Sequence, residues 1–315
     1  MTVLVLSEEY DPSVDRVVAT LTDRGVPVFR ADLGWFPQTL TIDAELRGNE
    51  WVGFLRTPHR EVRLSDLRSV WCRSPTVFAF PGDMSPARRH HAEREARLGV
   101  GGVLATLPVT WMNHPQRDAD HAYKPRQLAL AARCGLTVPR TMITNETAAV
   151  RRFAAGALHG LVTKVLGANI IHEDGHRKFA PTGRVDVADL GGVEHTAHQF
   201  QDWVPKAYEV RLTAVGARQF AVGIHTDDPD AHLDWRTNYD ALTYDTVRIP
   251  ERIADQVRAF MAMAGLLFSA LDFVVTPDGD WVFLESNSVG QYGWLTPTLG
   301  TAVSDAIADH LGAPR

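Results

Sequence analysis

Apolar and polar positions alternate in short blocks through the first third of the chain, and the blocks change period in an orderly way. Residues 3–6 form a brief apolar run, and residues 14–23 carry a helical pattern that Gly25 stops. A second apolar run follows at 28–31. Strand, helix, strand in this order predicts a βαβ start, a parallel sheet and a right-handed crossover. Residues 39–46 and 52–55 predict a hairpin through 47–50, and 70–73 a strand closed by Ser74-Pro75. A helix is expected from Pro86 to Ala105, with Ser85 as N-cap and Pro86 at the first helical position. A strand at 109–112 closes this region.

Beyond Pro115 the pattern predicts a short helix over 125–134 stopped by Gly135, an extended segment at 137–143, a helix at 148–155 and a strand at 160–167. Residues 167–184, rich in Gly, His, Asp and Lys, predict a mobile hairpin loop. From about 190 come strands at 209–214 and 219–224, a helix at 252–264, a further hairpin, and a terminal helix at 298–311. The expected division is 1–114, 115–190 and 191–315. No internal repeat or low-complexity tract is visible.

The late hairpin carries the strongest chemical signal. Two β-branched and aromatic runs flank Asp278-Gly279, a dipeptide suited to a two-residue turn with positive φ. Pairing outward from that turn sets Asp272 opposite Glu285, with Cβ atoms roughly 5 Å apart, where like charges repel unless something neutralises them. Period-2 alternation puts Asn287 on the face of Glu285. Two carboxylates and an amide suit a hard cation such as Mg²⁺ bridging phosphates. A solvated acidic pair is the bland alternative.

Length and composition narrow the class. The 315 residues, 45% hydrophobic and 22% charged, suffice for a large core. A formal charge of −6 argues against a nucleic-acid partner. Two unpaired cysteines, Cys72 and Cys134, fit a reducing cytosol. The N-terminal apolar run is too short for a secretion signal, and no stretch approaches the ~20 apolar residues of a membrane span. A soluble cytoplasmic protein is expected.

Other candidates stand singly. Lys164 interrupts an apolar strand, where an ammonium needs an anionic partner or must snorkel out. Lys124 precedes a helix start, against the helix dipole. Residues 199–211 read as a linker feeding a strand; an extended backbone there can meet an adenine edge, and Glu209 can accept ribose hydroxyls. An ordinary loop reads the same way. Arg236, in Asp234-Trp235-Arg236, could clamp phosphate or form a surface ion pair.

In order, these elements resemble the ATP-grasp ligase superfamily, and within it the microviridin-type (graspetide) maturases of ribosomally made peptides. Gln201-Asp202-Trp203-Val204-Pro205-Lys206-Ala207-Tyr208-Glu209-Val210-Arg211, Asp234-Trp235-Arg236, Gly290-Gln291-Tyr292-Gly293-Trp294 and the Trp71-Cys72-Arg73 strand carry the likeness. It departs at Ser286-Asn287-Ser288, where the family more often has Asn-Pro followed by Asn, and in lacking an acidic residue after Trp294. The resemblance implies an α/β ATP-grasp fold, with an N-terminal βαβ pre-ATP-grasp domain and two subdomains sandwiching ATP. It implies phosphate contacts from Lys124 and Lys164, adenine held at Gln201, Asp202, Trp203 and Val204, and ribose at Glu209, with Arg211 also on the nucleotide side. Arg236 would steady the transferred phosphate, with Lys164, and Asp272, Glu285 and Asn287 would hold Mg²⁺. The 167–184 loop would be a phosphate lid.

The implied reaction activates a substrate carboxylate as an acyl phosphate, which a hydroxyl or amine then attacks. The implied partner is a precursor peptide, leader and core, docked on the basic helix at Arg88 and Arg89 with Arg73, and relatives are often homodimers. Two other readings stay open from the sequence: a ligase adding an amino acid to a protein tail or small acceptor, and a nucleotide-binding regulator without ligase activity.

Overall fold

The computed structural model describes residues 1–167, 170–173, 176–295 and 297–314. The βαβ start is present. β1 (Thr2–Ser7) is almost wholly buried, α1 (Pro12–Asp23) crosses over, and β2 (Val28–Ala31) pairs parallel to β1. Asp11 starts α1 by accepting hydrogen bonds from the Ser13 and Val14 amides. β3 (Thr41–Arg47) and β4 (Glu50–Arg56) form the expected hairpin, which β5 (Glu61–Arg63) extends to a separate three-stranded sheet. β6 (Leu67–Ser74) returns to the parallel sheet. α2 (Pro86–Ala105) has the Ser85 cap and Pro86 in its first turn, and it buries only Ala96, Val100 and Leu104. β7 (Thr110–Met112) completes the parallel sheet in the order β2-β1-β6-β7.

A helix not predicted, α3 (Pro115–His121), leads into α4 (Lys124–Arg133). Next come β8 (Thr141–Thr144), α5 (Thr147–Ala154) and β9 (Leu161–Lys164). β10 (Ile170–Glu173) and β11 (His176–Phe179) pair antiparallel as the expected hairpin; residues 168, 169, 174 and 175 of the 167–184 loop lie outside the described residues. β12 (Gly183–Arg184) and β13 (His198–Asp202) join β8 and β9 in a four-stranded sheet ordered β12-β9-β13-β8.

The last region runs β14 (Tyr208–Val215), β15 (Arg218–His225), α6 (Pro229–Leu233), β16 (Thr243–Thr246), α7 (Glu251–Ala264), β17 (Phe268–Val275), β18 (Trp281–Asn287) and α8 (Pro297–Gly312). Its antiparallel sheet is ordered β16-β15-β14-β17-β18. One face packs on α7 and α4 through Phe260, Phe273, Phe283 and Leu128. Ile307 and Leu311 of α8 join Val5, Val17 and Trp71 in one core with Val215 and Phe268, so the N-terminal unit and the last sheet share buried apolar surface.

The sheets do not follow the expected boundaries. Leu128, Ala131 and Leu136 bury into the core of the last sheet, so α4 packs there and not with the central unit. β13 extends the central sheet past residue 190. Gln199–Asp202 are therefore strand and not linker; only 203–207 are irregular. The linker reading failed because β13 alternates Phe200, facing the subdomain core, with Gln199 and Gln201, facing a polar cleft.

The late hairpin pairs Asp272 with Glu285 as expected, but by another route. The turn holds three residues, Pro277-Asp278-Gly279: the Thr276 amide donates to the Asp280 carbonyl, and Gly279 takes φ 87°. That shifts Val275, Val274 and Phe273 opposite Trp281, Val282 and Phe283. A β-bulge at Leu284 then restores the register, leaving Leu284 and Glu285 together against Asp272. The bulge also reverses the facing. Phe283 enters the core, whereas Leu284 and Glu285 line the opposite cleft.

Candidate active site

The cleft lies between the central and last sheets. Val162, Lys164, Gln201, Trp203 and Val204 line one wall; Glu209, Asp272, Val274, Leu284 and Glu285 line the other. Alternation explains the selection: Lys164 and Val162 sit opposite Gln199 and Gln201, all on the cleft face of their strands. Asp234 and Arg236 close one side, where the Asp234 carboxylate accepts from the Thr182 amide at 3.0 Å and so ties the end of the 167–184 segment to this motif.

Basic groups converge on the two hairpin carboxylates. One Arg236 Nη2 donates to Asp272 and to Glu285, each at 3.1 Å. Arg211 lies opposite Asp272 in the register and pairs with it at 3.2 Å. Lys124 reaches Glu285 at 3.1 Å and donates to the Val165 carbonyl at 2.8 Å. A lysine placed against its helix dipole thus has its anion, because α4 packs on β18.

The titration behaviour follows. Burial alone would raise Glu285, but Lys164, Lys124 and Arg236 outweigh it and hold the carboxyl well below its usual range. For Asp272 burial prevails over Arg211 and Arg236 and raises the carboxyl. Burial, with Lys124 and Arg236 nearby, lowers Lys164, against the pull of Glu285. Arg236 is raised: Asp272, Glu285 and Asp234 together overcome its desolvation. Such a cluster is poised to take an anion on the lysines and a cation on the carboxylates.

Of the expected metal ligands, Asp272 and Glu285 are brought together, and Asn287 stands at the exposed end of β18, its Oδ1 accepting from the Val289 amide at 3.2 Å. Among the described residues no group of three His, Cys, Asp or Glu is arranged for a metal. An oxygen set of two carboxylates and one amide, completed by phosphate and water, still fits Mg²⁺. Gln201 donates to the Thr141 hydroxyl at 2.9 Å, and Asp202 pairs with Arg140 at 2.9 Å. Glu209 is buried and bonded to Lys206; burial raises its carboxyl despite that lysine. Lys206, Asp234 and Leu284 are cleft residues that the sequence reading left unassigned. Lys206, three residues before Glu209, was the readable one.

One peptide-binding expectation is corrected. Arg73 is 1% exposed, and its guanidinium is spent on Asp11 and on residues 289–291, so no docked peptide can reach it. Arg88 is exposed on α2. Arg89 is half-buried and donates to the Phe80 and Pro81 carbonyls, which ties it to the 75–84 segment.

The stacked central and last sheets, with lysines, an arginine and paired carboxylates between them, have the architecture of the ADP-forming ATP-grasp ligases. Residues 2–119 match the MvdD pre-ATP grasp domain family. The similarities run to graspetide-type macrocyclases. Macrocyclase MdnC of Microcystis aeruginosa, solved bound with precursor peptide MdnA, has TM-score 0.87 and 28% identity, over 99% of each chain. Macrocyclase MdnB of the same organism has TM-score 0.82 and 29% identity, over 98% of each. A RiPP-associated ATP-grasp ligase of Chryseobacterium gregarium, solved with ADP and a leader and core peptide, has TM-score 0.91, covering 100% of this chain and 98% of its own. At 24% identity it bears on the fold alone. No curated protein matches the sequence.

Proposed function

We propose that the protein joins side chains within a ribosomally made precursor peptide, activating Asp or Glu carboxylates as acyl phosphates and passing them to Ser or Thr hydroxyls or Lys amines. The products are macrolactone or macrolactam cross-links. The observation that carries this reading is the convergence of Lys124, Lys164 and Arg236 on Asp272 and Glu285, in a cleft that also offers Gln201, Asp202, Trp203, Val204 and Glu209. The solved relatives, among them PsnB with Mg and ADP or with AMPPNP, support ATP and Mg²⁺ as the cofactors.

In this reading Asp272, Glu285 and Asn287 hold Mg²⁺, which supplies charge neutralisation at the phosphates. Lys124 and Lys164 trade part of their grip on Glu285 for phosphate oxygens. Arg236, fixed by Asp234, steadies the negative charge that moves during transfer. Glu209, gripped by Lys206, faces the ribose, and the 167–184 segment covers the phosphates and keeps water from the activated carbonyl. No side chain needs to act as nucleophile. The exposed Arg88 on α2 offers a docking point for an acidic leader, helped by Arg89. We take the enzyme to be cytoplasmic and homodimeric, without a nucleic-acid or membrane partner; among the described residues no helix is long and apolar enough to cross a membrane.

Intact-mass measurement after incubation with the cognate precursor, Mg²⁺ and ATP tests the reading. One water should be lost per bond formed. A gain of one amino-acid mass would instead mean addition to a tail, and ATP binding without any mass change would mean a regulator.

A further inference from the structure

The turn that leaves the carboxylate strand is gripped from the other end of the molecule. After Asn287 the chain turns on a Gly290 amide to Asn287 carbonyl bond of 3.0 Å, while the Asn287 side-chain oxygen accepts from the Val289 amide. Each of the next three carbonyls is taken by a side chain of the parallel sheet. Asn113, just past β7, donates to the Ser288 carbonyl at 3.1 Å. Arg73 on β6 donates through one Nη1 to the carbonyls of Val289 and of Gly290, the latter at 3.1 Å, and through Nη2 to the Gln291 Oε1 at 2.6 Å. The same guanidinium lies 3.5 Å from Asp11, both side chains buried. A buried guanidinium with so few alternatives behaves as a rigid fork.

We propose that Arg73 is a positioning residue: by fixing the Val289 and Gly290 carbonyls it fixes the turn that aims the Asn287 oxygen, and so it sets the affinity for Mg²⁺. An amide oxygen has two lone pairs. The Val289 amide occupies one and orients the other, so rotation of the turn would carry the free lone pair away from the carboxylates. The N-terminal domain thereby takes part in the metal site without touching the metal. This rests on Asn287 being a ligand, as read above.

The test is calorimetric titration of Mg²⁺ into protein saturated with ADP, alongside turnover at varied Mg²⁺. Arg73→Lys keeps the charge but loses the fork. Its Mg²⁺ affinity should fall about tenfold and its KM for Mg²⁺ rise equally, with kcat at saturating Mg²⁺ within about threefold. Gln291→Leu, an exposed change that leaves the core alone, should shift affinity the same way by about threefold. Unchanged Mg²⁺ affinity in Gln291→Leu and Arg73→Lys, or a loss of kcat with no movement of the Mg²⁺ terms, overturns the proposal. Asn287→Ala separates the two readings. If it leaves Mg²⁺ affinity intact, Asn287 is no ligand and both fall; if it weakens affinity while Arg73→Lys does not, the role of Arg73 alone is refuted.

Discussion

Arg211 and Asp272 face each other across β14 and β17, paired in the register with 3.2 Å between charged groups and with both side chains more than nine-tenths buried. Asp272 therefore enters the cleft already neutralised on one side, with Arg236 on the other. Removing one partner of such a pair leaves a desolvated charge, which costs about 3–5 kcal/mol. Because Arg236 stays beside Asp272, Arg211→Met is expected to lower stability by somewhat less than that in urea unfolding, and Arg211→Lys by less still. An Arg211→Met protein as stable as the wild type would mean that the pair is not buried in solution.

Glu285→Gln keeps the shape of the strand end and removes one charge from between three cations. Turnover should fall about 100-fold or more, as expected for a group that holds developing charge in place. Far-UV circular dichroism should be unchanged. Full activity would remove Glu285 from the metal site.

His121 gives a prediction in pH. Its ring bonds to the Ser286 hydroxyl at 2.9 Å and packs on Phe260, and burial, with Arg126 nearby, pushes it down to about 4. Unfolded histidine titrates near ~6.5, so between about 4 and 6.5 the unfolded chain binds the extra proton. Stability then rises with pH across that window and is lost on acidification, by on the order of 3 kcal/mol in all. Asp118, raised by burial to about 6, works in the opposite sense over part of the range. The measurement is accordingly a comparison: His121→Gln should be less acid-sensitive than the wild type in thermal melts from pH 7 to pH 4. Parallel curves would show that folding does not shift the titration of His121.

On α2 the two arginines separate. Arg88→Glu should weaken binding of an acidic leader peptide about tenfold in fluorescence anisotropy, with the melting temperature unchanged. Arg89→Glu should also lower stability by about 1–3 kcal/mol, because the Phe80 and Pro81 carbonyls lose charged donors. Unaltered leader affinity in both would move the docking surface elsewhere.

How much of this could be read from the residues depends on how local each relationship is. The βαβ start, the cap of α2 and the Asp272–Glu285 pairing follow from neighbours in sequence. α3 escaped because Pro115-Gln116-Arg117-Asp118-Ala119-Asp120-His121 has no apolar period. β13 escaped because its polar residues face a polar cleft. Arg73 looked available for a peptide because its acceptors are backbone carbonyls more than 200 residues away. The carboxylate partner of Arg211 could not be read, because only the order of strands brings Asp272 beside it. Lys124 is the converse case: its electrostatic oddity was legible, and its explanation waited on where α4 packs.

The bulge at Leu284 separates two properties that hairpins usually couple. Phe273 and Phe283 are pinned in the core, so the length of the turn beyond them can drift by a residue or two without displacing Glu285. Between Phe283 and Glu285 the facing of the acid depends on the bulge itself. Were the bulge flattened with Leu284 retained, plain alternation would swing the acid from the nucleotide cleft into the hydrocarbon interior. Insertions and deletions among descendants of this sequence should therefore accumulate at 277–279, a pattern that reports on the site without reference to any conserved side chain.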